Sequence, residues 1–240
     1  EKMLAAQPAV LGLGVYIWNI EQTTKLVKLL KVLQPKLIIV LGGPEVSYET
    51  AEQAIVQAAD FVITGWGEVS FKKLCDALLG QDFTPLNKII IGEQAALADL
   101  SLPYDLYSAE DIAHRTLYVE ASRGCPFKCE FCLSALDKTA WAFELSTILS
   151  ELERLYQRGA REFKFVDRTF NLKPAFSLAL LNFFLEKLTY APNDPVFAHF
   201  EVIPDHLPDS LKTAIAQFPD GTLQFEIGLQ TFNPTVQKNI

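Results

Sequence analysis

"KLIIVLGG" (36–43) runs five apolar residues without a polar interruption and stops at two glycines. A strand with one wetted face alternates apolar and polar side chains. An unbroken apolar run therefore predicts a strand covered on both faces, as parallel strands between layers of helix are. Upstream, "LGLGVYIWN" (11–19) reads as another strand, and "EQTTKLVKLLKVLQ" (21–34) sets Leu26, Leu29, Leu30 and Leu33 on one helical face before Pro35. Downstream, "YETAEQAIVQA" (48–58) predicts a helix, "DFVITG" (60–65) a strand, "GEVSFKKLCDALLG" (67–80) a helix and "NKIIIG" (87–92) a last strand. Strands alternating with helices of this size predict βαβ units: an α/β, doubly wound Rossmann-like sheet in residues 1–100.

Periodicity fades between residues 93 and 115, where "LADLSLPYDLYSAEDIAHR" carries turn formers and acids, and the domain boundary is placed there. A second alternation fills residues 101–240. "TLYVEAS" (116–122) reads as a strand, "FELSTILSELERLYQRG" (143–159) as an amphipathic helix ending at Gly159, and "EFKFVD" (162–167) as a strand. Its inward residues are predicted as Leu145, Ile148, Leu149, Leu152 and Leu155. "PAFSLALLNFFLEKL" (174–188) predicts a buried helix, "VFAHFEVI" (196–203) a strand, "PDSLKTAIAQF" (208–218) a helix and "TLQFEIGLQT" (222–231) a strand. This regular βα repetition predicts barrel-type construction.

Half of the 240 residues are hydrophobic, enough for one large domain or two ordinary ones. The formal net charge is −8, with acids and bases interspersed. No Lys/Arg run forms a phosphate-binding stripe, so nucleic acid is not the expected partner. No apolar stretch approaches the roughly 18 residues of a membrane helix, and the start "EKMLAAQ" has no basic n-region, so neither a membrane span nor a signal peptide is expected. That start reads as the middle of a longer protein. Four cysteines are too few for a secreted disulfide framework; three of them fall within eight positions, which predicts metal binding in a reducing, cytoplasmic compartment.

The cluster is "RGCPFKCEFC" (123–132), spaced Cys125-x3-Cys129-x2-Cys132. Cys75, with Phe71, Leu74 and Leu78 around it on a helix, reads as a small buried apolar residue. Structural zinc ordinarily takes four protein ligands, and none of His114, His199 or His206 stands at a paired spacing. Three close thiolates suit an iron–sulfur cubane with one iron left open; a zinc site completed by another ligand remains the alternative.

With its aromatic residue before the last cysteine and the strand "YVEASRG" ahead of it, this loop resembles the signature of the radical S-adenosylmethionine (SAM) enzymes. The resemblance implies that Cys125, Cys129 and Cys132 hold a [4Fe–4S] cluster whose open iron is chelated by SAM, with Phe131 against the adenine. It implies SAM contacts for Asp167 in "FKFVDRTFN", for Glu201 in "HFEVIPD" and for Gln230 in "FEIGLQTFNP", the last two read as lying on strands. The family's Gly-Gly-Glu motif is absent, and a strand-capping role for Asp167 is the competing reading. An electron donor such as flavodoxin or ferredoxin, and a small-molecule or peptide substrate, are the implied partners.

"GVYIWN", "LGGPEVSY" and "DFVITGWGEVSF" resemble the cobalamin-binding domain that precedes the radical SAM barrel in one class of these enzymes. Cobalamin is then a further implied cofactor, with Gly42, Gly43, Gly65 and Gly67 letting the backbone approach it. The Asp-x-His-x-x-Gly loop of histidine-ligated cobalamin domains is absent, and no histidine precedes position 114. Either the chain starts after that strand, or the domain binds cobalamin without histidine, or it keeps the fold without the cofactor. On the first of these the resemblance implies a front domain lacking its first strand, followed by the N-terminal part of a barrel. The implied activity is methyl transfer or another radical reaction. A cofactor-free front domain and a non-catalytic metal-binding module are the alternatives.

Overall fold

A computed structural model describes residues 5–80, 87–132 and 140–238. The chain divides into two compact units, Glu1–Leu100 and Ser101–Ile240.

In the first unit, β1 (Val10–Gly14), β2 (Ile38–Gly42), β3 (Phe61–Thr64) and β4 (Ile89–Ile91) form one sheet in that order, every pair parallel. The unbroken apolar run of β2 is covered on both sides. On one face Ile39 and Leu41 join Leu11, Leu13 and Val62 under α1 (Ile20–Leu33) and α2 (Ala54–Ala58). On the other, Ile38 and Val40 join Val10 and Ile63 beside Leu74 and Leu78 of α3 (Glu68–Leu79). Helices thus lie on both faces, as expected of a doubly wound sheet, although the strand order runs on without a reversal. At the end of α1, Lys31 Nζ donates to Asp60 at 2.9 Å while Asp60 accepts from the Ile39 amide at 2.8 Å, tying helix to sheet.

Two helical expectations need correction. The inward face of α1 is Thr23, Val27 and Leu30; Leu29 and Leu33 are exposed, so the buried stripe lies one step round from the leucine pattern. The segment 48–58 is not one helix. Glu49 takes a left-handed conformation (φ 48°), a single 3-10 turn spans Thr50–Glu52, and α2 begins only after the extended Gln53. The Gln53 side chain donates to the carbonyls of Glu45 and Tyr48, fixing that loop in place of a helical turn.

In the second unit, α4 (Ala109–His114) is capped by Ser108, whose hydroxyl accepts from the Asp111 amide while Asp111 accepts in return. β5 (Leu117–Val119), β8 (Glu162–Phe165), β9 (Phe197–Val202) and β10 (Leu223–Ile227) form a parallel sheet with β5 and β10 at its edges. α5 (Leu145–Gln157), α6 (Pro174–Tyr190), α7 (Asp209–Ile215) and the short α8 (Pro234–Gln237) alternate with these strands or follow them. Ile148, Leu152 and Leu155 of α5 are buried, with Leu145 and Leu149 half-buried. That helix stops at Gly159 (φ 102°), where the amides of Gly159 and Ala160 return to the carbonyls of Tyr156 and Leu155. Phe163, Phe165, Phe184 and Phe200 are fully buried and pack ring to ring.

The four strands make an open sheet; no closed barrel forms among the described residues. The expected strand 116–122 is interrupted. β5 ends at Val119, and β6 (Ser122–Gly124) turns away to pair antiparallel with β7 (Ala140–Ala142).

The free edge of β5 has an unusual cover. The Tyr107 hydroxyl donates to the Tyr118 carbonyl at 2.8 Å and accepts from the Tyr118 amide at 3.0 Å. Two residues on, the Tyr104 hydroxyl does the same for Glu120, at 3.3 and 2.7 Å. Two phenols stand where a neighbouring strand's backbone would. Burial pushes both phenol pKa values up, so both stay protonated and able to donate.

Candidate functional site

Two places gather the residues singled out in the sequence, one in each unit. In the first, a cleft of about 610 Å³ opens beside the C-terminal halves of β1–β3, lined by Gly12, Gly14, Val40, Gly42, Ile63, Gly67, Glu68 and Phe71 among others. C-terminal strand ends are where open parallel sheets bind ligands. Its floor is bare because glycine stands where side chains would rise: a Cβ on Gly42 or Gly67 would meet no heavy atom closer than 3.8 Å. Of the four expected glycines, Gly42 and Gly67 line this cleft. Gly65 (φ 70°) shapes the turn after β3 and its amide donates to Ser47 Oγ at 3.0 Å. Gly43 serves the fold: at φ 111° a Cβ there would sit 2.5 Å from the Val15 carbonyl oxygen. Gly12 and Gly14 were not singled out, although "LGLG" placed two glycines inside a strand, itself a sign of close approach.

Next to the cleft, "YIWN" forms a tight turn at the end of β1. Asn19 Oδ1 accepts from the Tyr16 amide at 2.8 Å and Asn19 Nδ2 donates to the Gly14 carbonyl at 3.0 Å. The turn presents the Trp18 ring, 73% exposed, stacked on Tyr16 at 4.7 Å.

In the second unit, the cysteine loop leaves Gly124 and is pinched at its base by the β6–β7 ribbon, Gly124 pairing with Ala140. Cys125 and Cys129 are half-buried, and Cys132 and Phe131 are exposed. The Cys132 amide donates to the Cys129 carbonyl at 3.0 Å, a tight turn across "CEFC". Among the described residues no three Cys, His, Asp or Glu side chains stand close enough to hold a metal ion. The donor set itself, three soft thiolates on one short loop, fits an iron–sulfur group better than a hard cation. Residues 133–139, which follow the last cysteine, lie outside the described residues.

The segment "DRTFN" after β8 holds this loop in place. Asp167, Thr169 and Asn171 are all nearly fully buried, and each reaches a different neighbour. Asp167 accepts from the Ala121 amide at 2.9 Å and the Ser122 hydroxyl at 2.5 Å, fixing the corner between β5 and β6. Burial pushes its carboxyl up to about 6, against those hydrogen bonds. Thr169 Oγ1 lies 3.6 Å from Cys125 Sγ. Asn171 donates to the Ile203 carbonyl at 2.8 Å and accepts from the Ile203 amide at 3.0 Å. Asp167 is thus engaged by the chain's own groups, the strand-end role weighed against SAM binding. Thr169 had not been singled out; its signal was the alternation of polar residues at 167, 169 and 171.

Glu201 lies on β9, where Ala198, Phe200 and Val202 are buried and the intervening His199 and Glu201 face the other way, half-buried. Glu201 stands in register with Glu226 of β10, and burial raises its carboxyl pKa. His199 Nε2 is buried with no hydrogen-bond partner among the described residues, 3.7 Å from Glu226, and burial lowers its pKa. Gln230 is displaced from its expected strand. The last pair of β10 is Ile227 with Val202, where β9 itself ends, so pairing runs out and Gln230 lies in an exposed loop.

Residues 1–75 match the family model of the B12 binding domain. The chain is 30% identical over 200 residues to the uncharacterised methyltransferase PH0819 of Pyrococcus horikoshii, a match covering 72% of this chain and 43% of that protein. It is 29% identical over 194 residues to the cobalamin-dependent radical SAM methyltransferase TokK of Streptomyces tokunonensis, covering 70% of this chain and 28% of TokK. Among solved structures, the radical SAM methyltransferase TsrM from Kitasatospora setae, with tryptophan substrate and a SAM analogue bound, matches at a TM-score of 0.69. That match covers 98% of this chain and 52% of TsrM at 16% identity, a likeness of fold. The chain spans less than half the length of these curated relatives. Its front is thus similar to B12 binding domains, and these relatives in sequence are named as methyltransferases, TokK as a cobalamin-dependent one.

Proposed function

We propose that this chain carries the cobalamin-binding and cluster-binding parts of a radical SAM methyltransferase. What supports the reading most is one conjunction. A glycine-floored cleft lies in a region that matches the B12-binding model, and a three-thiolate loop follows the first strand of the next parallel sheet. The TokK and TsrM likenesses agree with it.

The residues present fit both groups. Gly12, Gly14, Gly42 and Gly67 would receive a large ligand against bare backbone, with Phe71 and Glu68 as its wall. Cys125, Cys129 and Cys132 would hold a [4Fe–4S] cluster, with Phe131 exposed beside them for a nucleoside ring. When bound, the cluster would supply an electron to SAM and cobalamin would carry the methyl group. The chain's own residues would do the positioning. Asp167 holds the strand corner that feeds the loop, the β6–β7 ribbon closes its base, and Glu201 offers a half-buried carboxylate on the same sheet. The methyl acceptor is left unnamed, and electrons would come from a flavodoxin- or ferredoxin-type donor.

Anaerobic reconstitution of the intact protein tests this. Wild type is expected to retain iron, sulfide and, after desalting, hydroxocobalamin absorbance. Cys125→Ala should lose the iron and keep the corrin. Gly42→Val, whose Cβ has room in the fold, should lose the corrin and keep the iron. Retention of neither group by wild type would sink the reading.

A further inference from the structure

Thr169 is the least explained of the three buried polar residues in "DRTFN". It is 4% exposed, and a hydroxyl so placed needs a partner. Its side chain meets Cys125 Sγ at 3.6 Å, within range for a hydrogen bond to sulfur. With the thiol protonated, either atom could donate. A ligating cysteine is a thiolate and has no proton to give, so the direction is then fixed: the threonine donates and the sulfur accepts.

Its neighbours anchor the backbone on either side of it. Asp167 is bound to Ala121 and Ser122, and Asn171 is bound twice to Ile203. The segment is thus pinned two residues before and two residues after Thr169. Gly124 immediately before Cys125 is held in the β6–β7 ribbon, so the sulfur's side is fixed as well.

We propose that Thr169 is a positioning and tuning residue for the cluster, donating a hydrogen bond to the Cys125 thiolate and thereby raising the cluster's reduction potential. The inference rests on the cluster reading above. Hydrogen bonds to the sulfurs are among the protein's levers on iron–sulfur potentials. Reduction adds negative charge that spreads onto the sulfurs, so a donor there favours the reduced state. Removing it shifts the couple to more negative potential. A hydroxyl is also a mild donor, able to adjust the potential without protonating the ligand.

The test is a potentiometric titration of the anaerobically reconstituted intact protein, followed by absorbance and by the paramagnetic signal of the reduced cluster. Thr169→Val keeps the shape and removes the donor; Thr169→Ser keeps the donor and removes a methyl group. The valine variant is expected to bind wild-type iron and sulfide but to have a ratio of reduced to oxidised cluster about tenfold lower at fixed potential. For a one-electron couple that is a shift of about 59 mV. The serine variant should return most of the way to wild type. If valine fails to fold, Thr169→Ala and Thr169→Ser supply the same contrast. Equal potentials in wild type and the hydroxyl-free variant, with clusters intact in both, overturn this inference alone. A wild-type protein that takes up no iron and sulfide overturns the cluster reading and this inference with it.

Discussion

Asp167 illustrates how much one side chain costs and does. Its carboxyl, 3.8 in the ordinary state, is pushed up to about 6 by burial, while the Ala121 amide and Ser122 hydroxyl pull the other way. The folded chain therefore binds its proton more tightly than the unfolded chain does. Stability from this group is fully present below about pH 4 and is lost as pH rises through about 6. Urea unfolding across that window should show a decline on the order of 2–3 kcal/mol in wild type that is absent from Asp167→Asn. A matching slope in the two proteins would refute the assignment. Gly43 makes a sharper residue-scale case. Its φ of 111° and the 2.5 Å approach of a Cβ to the Val15 oxygen leave no room for alanine, so Gly43→Ala should cost at least about 1–3 kcal/mol. Gly42, one position earlier, has no such conflict and should tolerate alanine with little change in the urea midpoint. The sequence showed a glycine doublet; only backbone geometry separates the glycine the fold requires from the one that clears a cleft.

Elements were legible to different degrees, for physical reasons. The apolar run of β2 and the leucine-rich α5 appeared where their periods predicted, because many side chains enforce them together. The helix expected over 48–58 failed because its propensity was overridden by Glu49 in the left-handed region and by Gln53 bonding to loop carbonyls, contacts a period cannot show. The β6–β7 ribbon was missed because each strand is only three residues long, and its partners lie on either side of the cysteine loop. The three-cysteine spacing was fully legible, while the polar clasp behind it was not, since its partners at Ala121, Cys125 and Ile203 are distant in sequence. Edge protection by tyrosine belongs to this scale too. Tyr104→Phe would strip the Glu120 amide of its acceptor and should cost about 1–3 kcal/mol. The double change of Tyr104 and Tyr107 to Phe should add concentration-dependent self-association, visible by light scattering, because β5 would then offer an unpaired edge. A monodisperse double variant at high concentration would contradict that role.

At the scale of the molecule, two parallel sheets each present strand ends that could serve a cofactor, and each unit can be interrogated separately. A ligand that binds only the folded state stabilises by mass action, about 2.7 kcal/mol at a hundredfold excess over its dissociation constant. Added hydroxocobalamin should therefore raise the unfolding midpoint of the intact wild-type protein and leave Gly42→Val unmoved. An equal rise in both would place corrin binding elsewhere than the glycine-floored cleft. The chain divides between Leu100 and Ser101, inside the stretch where periodicity fades, and the second unit pairs four parallel strands in an open sheet where part of a barrel was expected. Whether parallel strands close or stay open depends on pairing partners, which no single strand's sequence states.

The tyrosine-covered edge has a consequence for the order of assembly. In space the second sheet runs β5, β8, β9, β10, the same order as in the chain. With β5 already satisfied by the phenols of Tyr104 and Tyr107, which precede it in sequence, each later strand has one free flank on which to dock. The sheet can be laid down in the direction of synthesis, its single sticky margin always the newest strand. Growth is then one-sided: the phenols cover the β5 margin, and among the described residues the β10 side is the margin left to accept another strand.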